Sequence, residues 1–298
     1  MLSNDNRPLV SVLMNCYNSS KFIGKAIQSV IDQSYKNWEL VIWDDGSTDD
    51  TLKTIKKFKD SRIKLFSEIN NVGLGKSRTK ATKKLNGSLI SILDSDDYYH
   101  PEKLNKQVDI FQKFPEVAIC ATWTVIQDQN YKFKKNYAPK IDNNILKKKL
   151  IFVNMLAHSA IMYRKNSAQK VGWYSNKLEY AQDYDLTCKL IANNEIYLIK
   201  EILTYVPILG TNMTNTKNLM PTIIKENILI LKNNMILFNL SRKDINLIKS
   251  VVDIYLLKMN IIKIKKNFFK SAGKIIKIIF FNPLIIFKSN LIKSIKKI

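Results

Sequence analysis

Three carboxylates follow a short apolar segment in residues 91–101, which read SILDSDDYYHP. One serine separates Asp94 from Asp96, and Asp97 comes directly after. Carboxylates at this spacing can point into one cavity. Hard cations such as Mg²⁺ and Mn²⁺ prefer oxygen ligands, typically one or two carboxylates completed by phosphate oxygens. The segment therefore predicts a divalent-metal site for a phosphorylated ligand, with a solvated loop as the alternative.

Two other apolar runs also end in polar residues. Tyr17 follows the run 9–14 within NCYN, and Asp44 and Asp45 follow the run 39–43 within DDGSTDDT. A tyrosine ring offers a nucleotide base a stacking surface, and a carboxylate can accept hydrogen bonds from a base or a ribose. By itself DDGSTDDT is equally typical of a turn that starts a helix. Together the three segments predict a metal-assisted nucleotide diphosphate site.

The elements that must position these residues alternate along the chain. Strand-like runs at 9–14, 39–43, 63–66, 89–93 and 117–123 are separated by helix-like stretches, a pattern typical of an α/β fold whose mostly parallel sheet is flanked by helices. Ligands of such sheets bind beyond the carboxyl ends of the strands. We therefore expect Tyr17, Asp45 and Asp94 to meet at one edge.

Composition narrows the remaining classes. The 298 residues are 46% hydrophobic and 24% charged, as expected for a globular protein, although the net charge is strongly positive at +23. Three widely spaced cysteines predict no disulfide framework or zinc knuckle and favour a reducing compartment. No signal peptide is evident, and no segment approaches the roughly 20 apolar residues that span a bilayer. We expect a cytoplasmic protein.

The last part of the chain is different. Ile254–Ile298 holds eleven lysines and no acid, interleaved with isoleucine and phenylalanine. This pattern predicts peripheral attachment to an anionic membrane, here the inner face of the cell membrane, with a lysine-rich helical cap on the sheet as the alternative. Scarce arginine and the lack of a recognition motif argue against nucleic acid. The predicted domains are 1–221, with a nucleotide-binding half at about 8–125 and an acceptor half at about 126–221, and a basic helical region at 222–298.

Five segments in order complete the picture: VSVLMNCYN, VIWDDGSTDDT, NNVGLGKSRTKA, ILDSDDYYHP and YAQDYDLTCKL. This series resembles the family 2 glycosyltransferases of GT-A fold, over about residues 8–215. The resemblance implies inverting transfer of a sugar from a nucleotide diphosphate to a hydroxyl of a cell-surface glycan or lipid-linked acceptor. It implies a Mn²⁺ or Mg²⁺ cofactor, and family habit favours UDP as the carrier.

The resemblance also assigns roles to single residues. It places Tyr17 on the base, the pair Asp44 and Asp45 on the base or ribose, Arg78 near the nucleotide, Asp94 near the ribose and the metal, and Asp96 on the metal. Asp183 matches the family's general base, with Asp185 as second choice. A carboxylate suits this role because the acceptor hydroxyl must lose its proton as it attacks. His158 is expected to face the acceptor, with a structural role as the alternative.

The chain departs from the family pattern at several positions. Asn15 stands where the first strand often ends in proline, and Gln182 replaces the glutamate before Asp183. Val206 and Ile208 occupy positions where many relatives carry arginine and histidine. These losses keep open a nucleotide-sugar-binding protein without turnover. A nucleotidyltransferase is a further alternative, although NCYN is not the glycine-rich loop that it requires after the first strand.

Overall fold

A computed structural model describes residues 7–128, 130–137, 141–208 and 219–263. The chain divides into two compact units, residues 1–138 with 156–210 and residues 139–155 with 211–298. The sequence placed one boundary at residue 221, whereas contacts also assign 139–155 to the C-terminal unit.

The first unit begins with alternating strands and helices. They are β1 (Val10–Cys16), α1 (Ile23–Ile31), β2 (Trp38–Asp44), α2 (Thr51–Ile55), β3 (Ile63–Ser67), α3 (Leu74–Thr82) and β4 (Leu89–Ile92). The four strands pair in parallel in the order β3-β2-β1-β4. The predicted α/β fold, a sheet flanked by helices, is confirmed.

Helix α1 shows why these segments fold as they do. Ile23, Ala26, Ile27 and Val30 recur at helical spacing, and each is fully buried in the core with the strands. Each large aliphatic side chain buried in this way contributes roughly 1.5–3 kcal/mol relative to exposure. The polar face of the helix remains toward solvent.

In the part of the chain that the structure describes, the remaining elements complete a nine-stranded sheet. They are β5 (Tyr98–Tyr99), α4 (Lys103–Lys113), β6 (Val117–Gln127), β7 (Phe133–Tyr137), α5 (Asn143–Leu150), a 3-10 turn (His158–Ala160), β8 (Ile161–Arg164), α6 (Lys165–Lys170), α7 (Gln182–Ala192) and β9 (Glu195–Pro207). Strand β8 lies antiparallel between β4 and β6, and β6 pairs in parallel with β9. Parallel pairing therefore dominates the nucleotide half, and the second half is mixed.

The second unit contains α5, α8 (Met220–Leu237) and α9 (Arg242–Lys263). The amide nitrogen of Asn234 on α8 donates to the Ile151 carbonyl at 2.8 Å, next to the end of α5. Within the residues that the structure describes, no helix is both long and apolar enough to cross a membrane. The predicted basic tail lies outside the described residues from position 264 onward.

Candidate active site

Three strand ends meet at one edge of the sheet. Cys16 is in register with Asp44, and the Asp45 N–H donates to the Cys16 carbonyl at 2.9 Å. On the other side of β1, the Leu93 N–H donates to the Leu13 carbonyl at 3.0 Å. Tyr17, Asp45 and Asp94 therefore follow neighbouring strands, as the topology rule predicts. Tyr17 is 47% exposed, so it is open to a ligand.

Asp44 and Asp45 are buried and accept hydrogen bonds from backbone N–H groups. The two oxygens of Asp45 accept from the N–H groups of Val72 and Gly73, each at 3.0 Å. Asp44 accepts from the N–H of Ser47 at 3.0 Å and from its hydroxyl. Each carboxylate oxygen can accept a second hydrogen bond. Asp45 thus shapes the loop before α3 and keeps acceptor capacity for a nucleotide.

Asp94 lies between two basic side chains. Its Oδ1 is 3.6 Å from a guanidinium nitrogen of Arg78 and 3.7 Å from Nδ1 of His158. Burial acts to raise the pKa of Asp94, but the interactions with His158 and Arg78 outweigh it and hold that pKa below its usual value. The side chain remains 40% exposed, so the carboxylate is accessible to a ligand.

Asp97 is the inward-facing acid of the turn. It is buried and accepts from the Ser159 hydroxyl at 2.6 Å. Burial and the charges of Asp96 and Asp94 raise its pKa well above the usual range. The Ser159 hydroxyl also accepts from the Asp94 N–H at 3.0 Å. Asp97 therefore anchors the turn.

Asp96 is the candidate metal ligand. It is partly exposed, and burial and the charge of Asp94 raise its pKa to about 6. A bound cation would relieve this repulsion. Among the described residues, no three or more His, Cys, Asp or Glu side chains converge as a protein metal cage. The donor set fits an ion such as Mg²⁺ or Mn²⁺ whose other ligands are phosphate oxygens and water.

Helix α7 carries both candidate bases in its first turn. Asp185 is buried and lies 2.6 Å from Lys189 Nζ, which binds it in an ion pair. Asp183 is only partly buried. Its charge and that of Asp94 both act to raise the pKa of Tyr174, although burial is the largest cause of the rise to about 12. Tyr174 thus lies in the field of both acids.

The departures from the family pattern have local structural roles. Asn15 donates to the Ser77 hydroxyl on α3 at 3.2 Å. Gln182 is fully buried, donates to the Leu178 carbonyl at 2.5 Å and lies against Gly75 of α3. Val206 pairs with Ile126 within the sheet. The Ile208 N–H donates to the Gln127 carbonyl at 2.8 Å, just beyond β9.

Sequence reasoning missed four residues that support the site. Tyr174 contacts both His158 and Arg78, and Ser159 holds the acidic turn. The hydroxyls of Ser19 and Ser95 lie 2.9 Å apart and join the Tyr17 loop to the acidic turn. Ser159 follows His158, which the family resemblance had already indicated. Tyr174 carries no sequence signal, because nothing in the spacing connects it to residues 78 and 94.

A family model described as "Glycosyl transferase family 2" matches residues 11–172, more than half of the chain. The chain belongs to glycosyl transferase family 2. An uncharacterized glycosyltransferase of Rickettsia prowazekii is 31% identical over 224 residues, covering 72% of this chain and 69% of that protein. The Escherichia coli UDP-Glc:alpha-D-GlcNAc-diphosphoundecaprenol beta-1,3-glucosyltransferase WfgD is 41% identical over 105 residues, or 35% of this chain and 42% of that protein.

Solved structures agree on the GT-A fold. Residues 1–349 of S. aureus TarS in complex with UDP-GlcNAc match with a TM-score of 0.62 and 20% identity, covering 90% of this chain and 88% of that one. The mannosyltransferase PcManGT of Pyrobaculum calidifontis, in complex with GDP-Man and Mn²⁺, matches with a TM-score of 0.64 and 14% identity, covering 94% and 77%. This family 2 enzyme is a glycosyltransferase that uses a nucleotide-sugar donor.

Proposed function

We propose that this glycosyltransferase transfers a sugar from a UDP-sugar, with inversion, to a hydroxyl of a lipid-linked or other cell-surface glycan acceptor. The observation that carries the proposal is the acidic turn: Asp94 is accessible between Arg78 and His158, beside the raised-pKa carboxylate of Asp96. The solved relatives bind UDP-GlcNAc in one case and GDP-Man in the other, so the fold alone does not choose the base. The E. coli relative favours uridine.

In this proposal different side chains act on different parts of the donor, and Asp94 serves both the ribose and the metal. Tyr17 stacks on the base, and Asp45 and Asp94 accept hydrogen bonds from the base and ribose. Arg78 lies beside the nucleotide, with its side chain 6% exposed. Asp96, with Asp94, holds the divalent ion. When bound, that ion neutralises the charge that develops on the departing diphosphate.

Asp183 is proposed as the general base. It takes the proton of the acceptor hydroxyl while that oxygen bonds to the anomeric carbon from the face opposite the diphosphate. The bond from the anomeric carbon to the diphosphate oxygen breaks, and UDP leaves with the bonding electrons. One displacement inverts the anomeric configuration. Asp185 is less suited because it is buried, whereas Asp183 is partly exposed.

The acceptor proposal rests on the named relative and on charge. The E. coli relative is named for a diphosphoundecaprenol-linked acceptor, which is a membrane lipid. Residues 254–298, with eleven lysines and no acid, would attract the chain to an anionic inner membrane face. We therefore propose peripheral attachment there.

A thermal-shift panel tests the donor and the metal. The full chain and Asp96→Ala are heated with UDP, GDP, dTDP or CMP, each with and without Mn²⁺. A ligand at 100 times its Kd adds about 2.7 kcal/mol to the free energy of unfolding and raises Tm by several degrees. We expect the largest rise with UDP, dependent on both Mn²⁺ and Asp96. A rise with GDP alone would overturn the UDP assignment, and indifference to Mn²⁺ and Asp96 would overturn the metal site.

A further inference from the structure

His158 is a buried residue whose two ring nitrogens face two different polar groups. Its side chain is 6% exposed, with Nδ1 at 3.7 Å from Asp94 Oδ1. Its Nε2 is 3.2 Å from the hydroxyl of Tyr174. Among the described residues, Nδ1 has no closer hydrogen-bond partner. The ring orientation is therefore set at one end by Tyr174 and directed at the other toward Asp94.

Tyr174 supports both basic neighbours of Asp94. It is buried, and its hydroxyl also lies 3.1 Å from that of Tyr163. Its ring meets the His158 ring edge-on at 5.9 Å between centroids, and the Arg78 guanidinium lies 5.2 Å from its ring centroid. A rigid aromatic side chain of this kind fixes its neighbours at little cost in side-chain entropy.

The residue after His158 holds the backbone of the same turn. Ser159 accepts from the Asp94 N–H and donates to Asp97. Residues 158 and 159 thus contact both the main chain and the side chain of Asp94. Oδ1 faces Arg78 and His158, while the side chain keeps 40% of its surface exposed for a ligand.

We infer that His158, supported by Tyr174, is a positioning residue that orients Asp94 toward the ribose of the donor nucleotide. The inference rests on the proposed function, in which Asp94 accepts a hydrogen bond from the ribose. A carboxylate that is already oriented loses less side-chain conformational entropy when the nucleotide binds. Without His158, the Asp94 carboxylate would keep only Arg78 of the two basic neighbours that the structure describes, and would turn toward it.

The binding test compares UDP with 2′,3′-dideoxy-UDP, which lacks both ribose hydroxyls, by calorimetric titration of the full chain with Mn²⁺. We expect the wild type to prefer UDP by about tenfold, since a hydrogen bond to a charged group is worth about that factor. His158→Phe and Asp94→Ala should both lose the preference. His158→Asn places an amide near the Nδ1 position and should restore it. His158→Gln reaches only toward Tyr174 and should not.

The outcomes separate positioning from simple support of the fold. If His158 only supports the fold, its replacement would lower Tm and reduce the affinities for UDP and 2′,3′-dideoxy-UDP by the same factor. The preference for UDP would then be unchanged in every His158 variant. That result would overturn the inference and leave the proposed function standing. If the wild type bound no UDP, the proposed function would fall, and the inference with it.

A second measurement needs no nucleotide. The chain has two histidines, so His100→Gln assigns the ring nitrogen signals of His158 in an NMR spectrum of labelled protein. We expect the His158 ring to carry a proton on Nδ1, facing Asp94, and its signals to shift in Asp94→Asn. A neutral ring protonated only on Nε2, with signals indifferent to Asp94→Asn, would overturn the inference.

Discussion

At the scale of single residues, the proposed ligand-binding carboxylates repel one another and need stabilising neighbours. The acidic turn concentrates Asp94, Asp96 and Asp97, and the protein stabilises it with Arg78, His158 and Ser159. A second notable residue is a lysine in the core, bonded to Ser91 at the end of the strand that precedes the turn. Lys103 on α4 is fully buried and donates to Gln107 Oε1 at 2.9 Å and to the Ser91 hydroxyl at 3.1 Å.

Replacement of the proposed base isolates the chemical step. Asp183→Asn should lower kcat by about 10²–10⁴-fold, because the acceptor hydroxyl keeps its proton, and leave the Kd of UDP unchanged. Steady-state kinetics and nucleotide titration measure the two effects. The companion variant Asp185→Asn breaks the ion pair with Lys189. It should therefore lower Tm while changing kcat much less than Asp183→Asn does. If Asp185→Asn abolished turnover and Asp183→Asn did not, the assignment would pass to Asp185.

Lys103 predicts a pH-dependent stability. Burial lowers its pKa to about 7 in the folded protein, whereas an unfolded lysine titrates near 10.5. Between those values the unfolded chain binds more protons, so the free energy of unfolding should rise with pH, by on the order of 4 kcal/mol from this group. Urea unfolding of wild type and Lys103→Met at pH 7 to 10 measures it. The methionine variant should lack this rise, and parallel curves would contradict the prediction.

At the scale of elements, the site depends on a close approach between α3 and α7. A Cβ added to Gly75 would lie 2.1 Å from the Gln182 amide nitrogen and 2.8 Å from the Leu178 carbonyl oxygen. Helix α3 carries Arg78, and the next residue after Gln182 is Asp183. The glycine therefore lets the proposed base and the nucleotide-side arginine occupy neighbouring helices.

Substitution of Gly75 tests this approach. Gly75→Ala should lower the free energy of unfolding by about 1–3 kcal/mol through overpacking, even though alanine is the better helix former. Chemical denaturation measures the loss. The double variant Gly75→Ala with Gln182→Ala should recover part of it, because one of the two clashing groups is gone. A Gly75→Ala protein as stable as wild type would show that the helices separate freely.

At the scale of the whole molecule, the positive charge is densest in the last part of a chain whose net charge is strongly positive. The nucleotide edge gathers carboxylates, whereas residues 254–298 add eleven lysines and no acid. Each lysine near an anionic lipid surface contributes about 1 kcal/mol to the binding free energy of such a segment, and salt screens that attraction.

Vesicle co-sedimentation tests the membrane part of the proposal. The full chain should bind vesicles containing anionic phosphatidylglycerol, lose most of that binding in 0.5 M salt, and bind poorly to vesicles of neutral phosphatidylcholine. A chain with Lys293, Lys296 and Lys297 changed to Gln should bind less and keep its UDP affinity. Equal binding to both vesicle types would argue for the alternative, a helical region that covers protein rather than lipid.

Local patterns in the sequence determined where the site begins. The pattern of apolar residues located β1, β2 and β4. The rule that ligands bind beyond the carboxyl ends of strands then predicted that Tyr17, Asp45 and Asp94 lie at one edge of the sheet. Only the tertiary structure decided which side chains surround Asp94. Tyr174 and His158 are 16 positions apart, and Ser159 and Asp97 are 62 apart. Such contacts follow from the antiparallel entry of β8 beside β4 and from burial, which also takes Lys103 into the core against its usual preference for solvent. Periodicity records which face of an element is apolar, but it does not record strand order or direction.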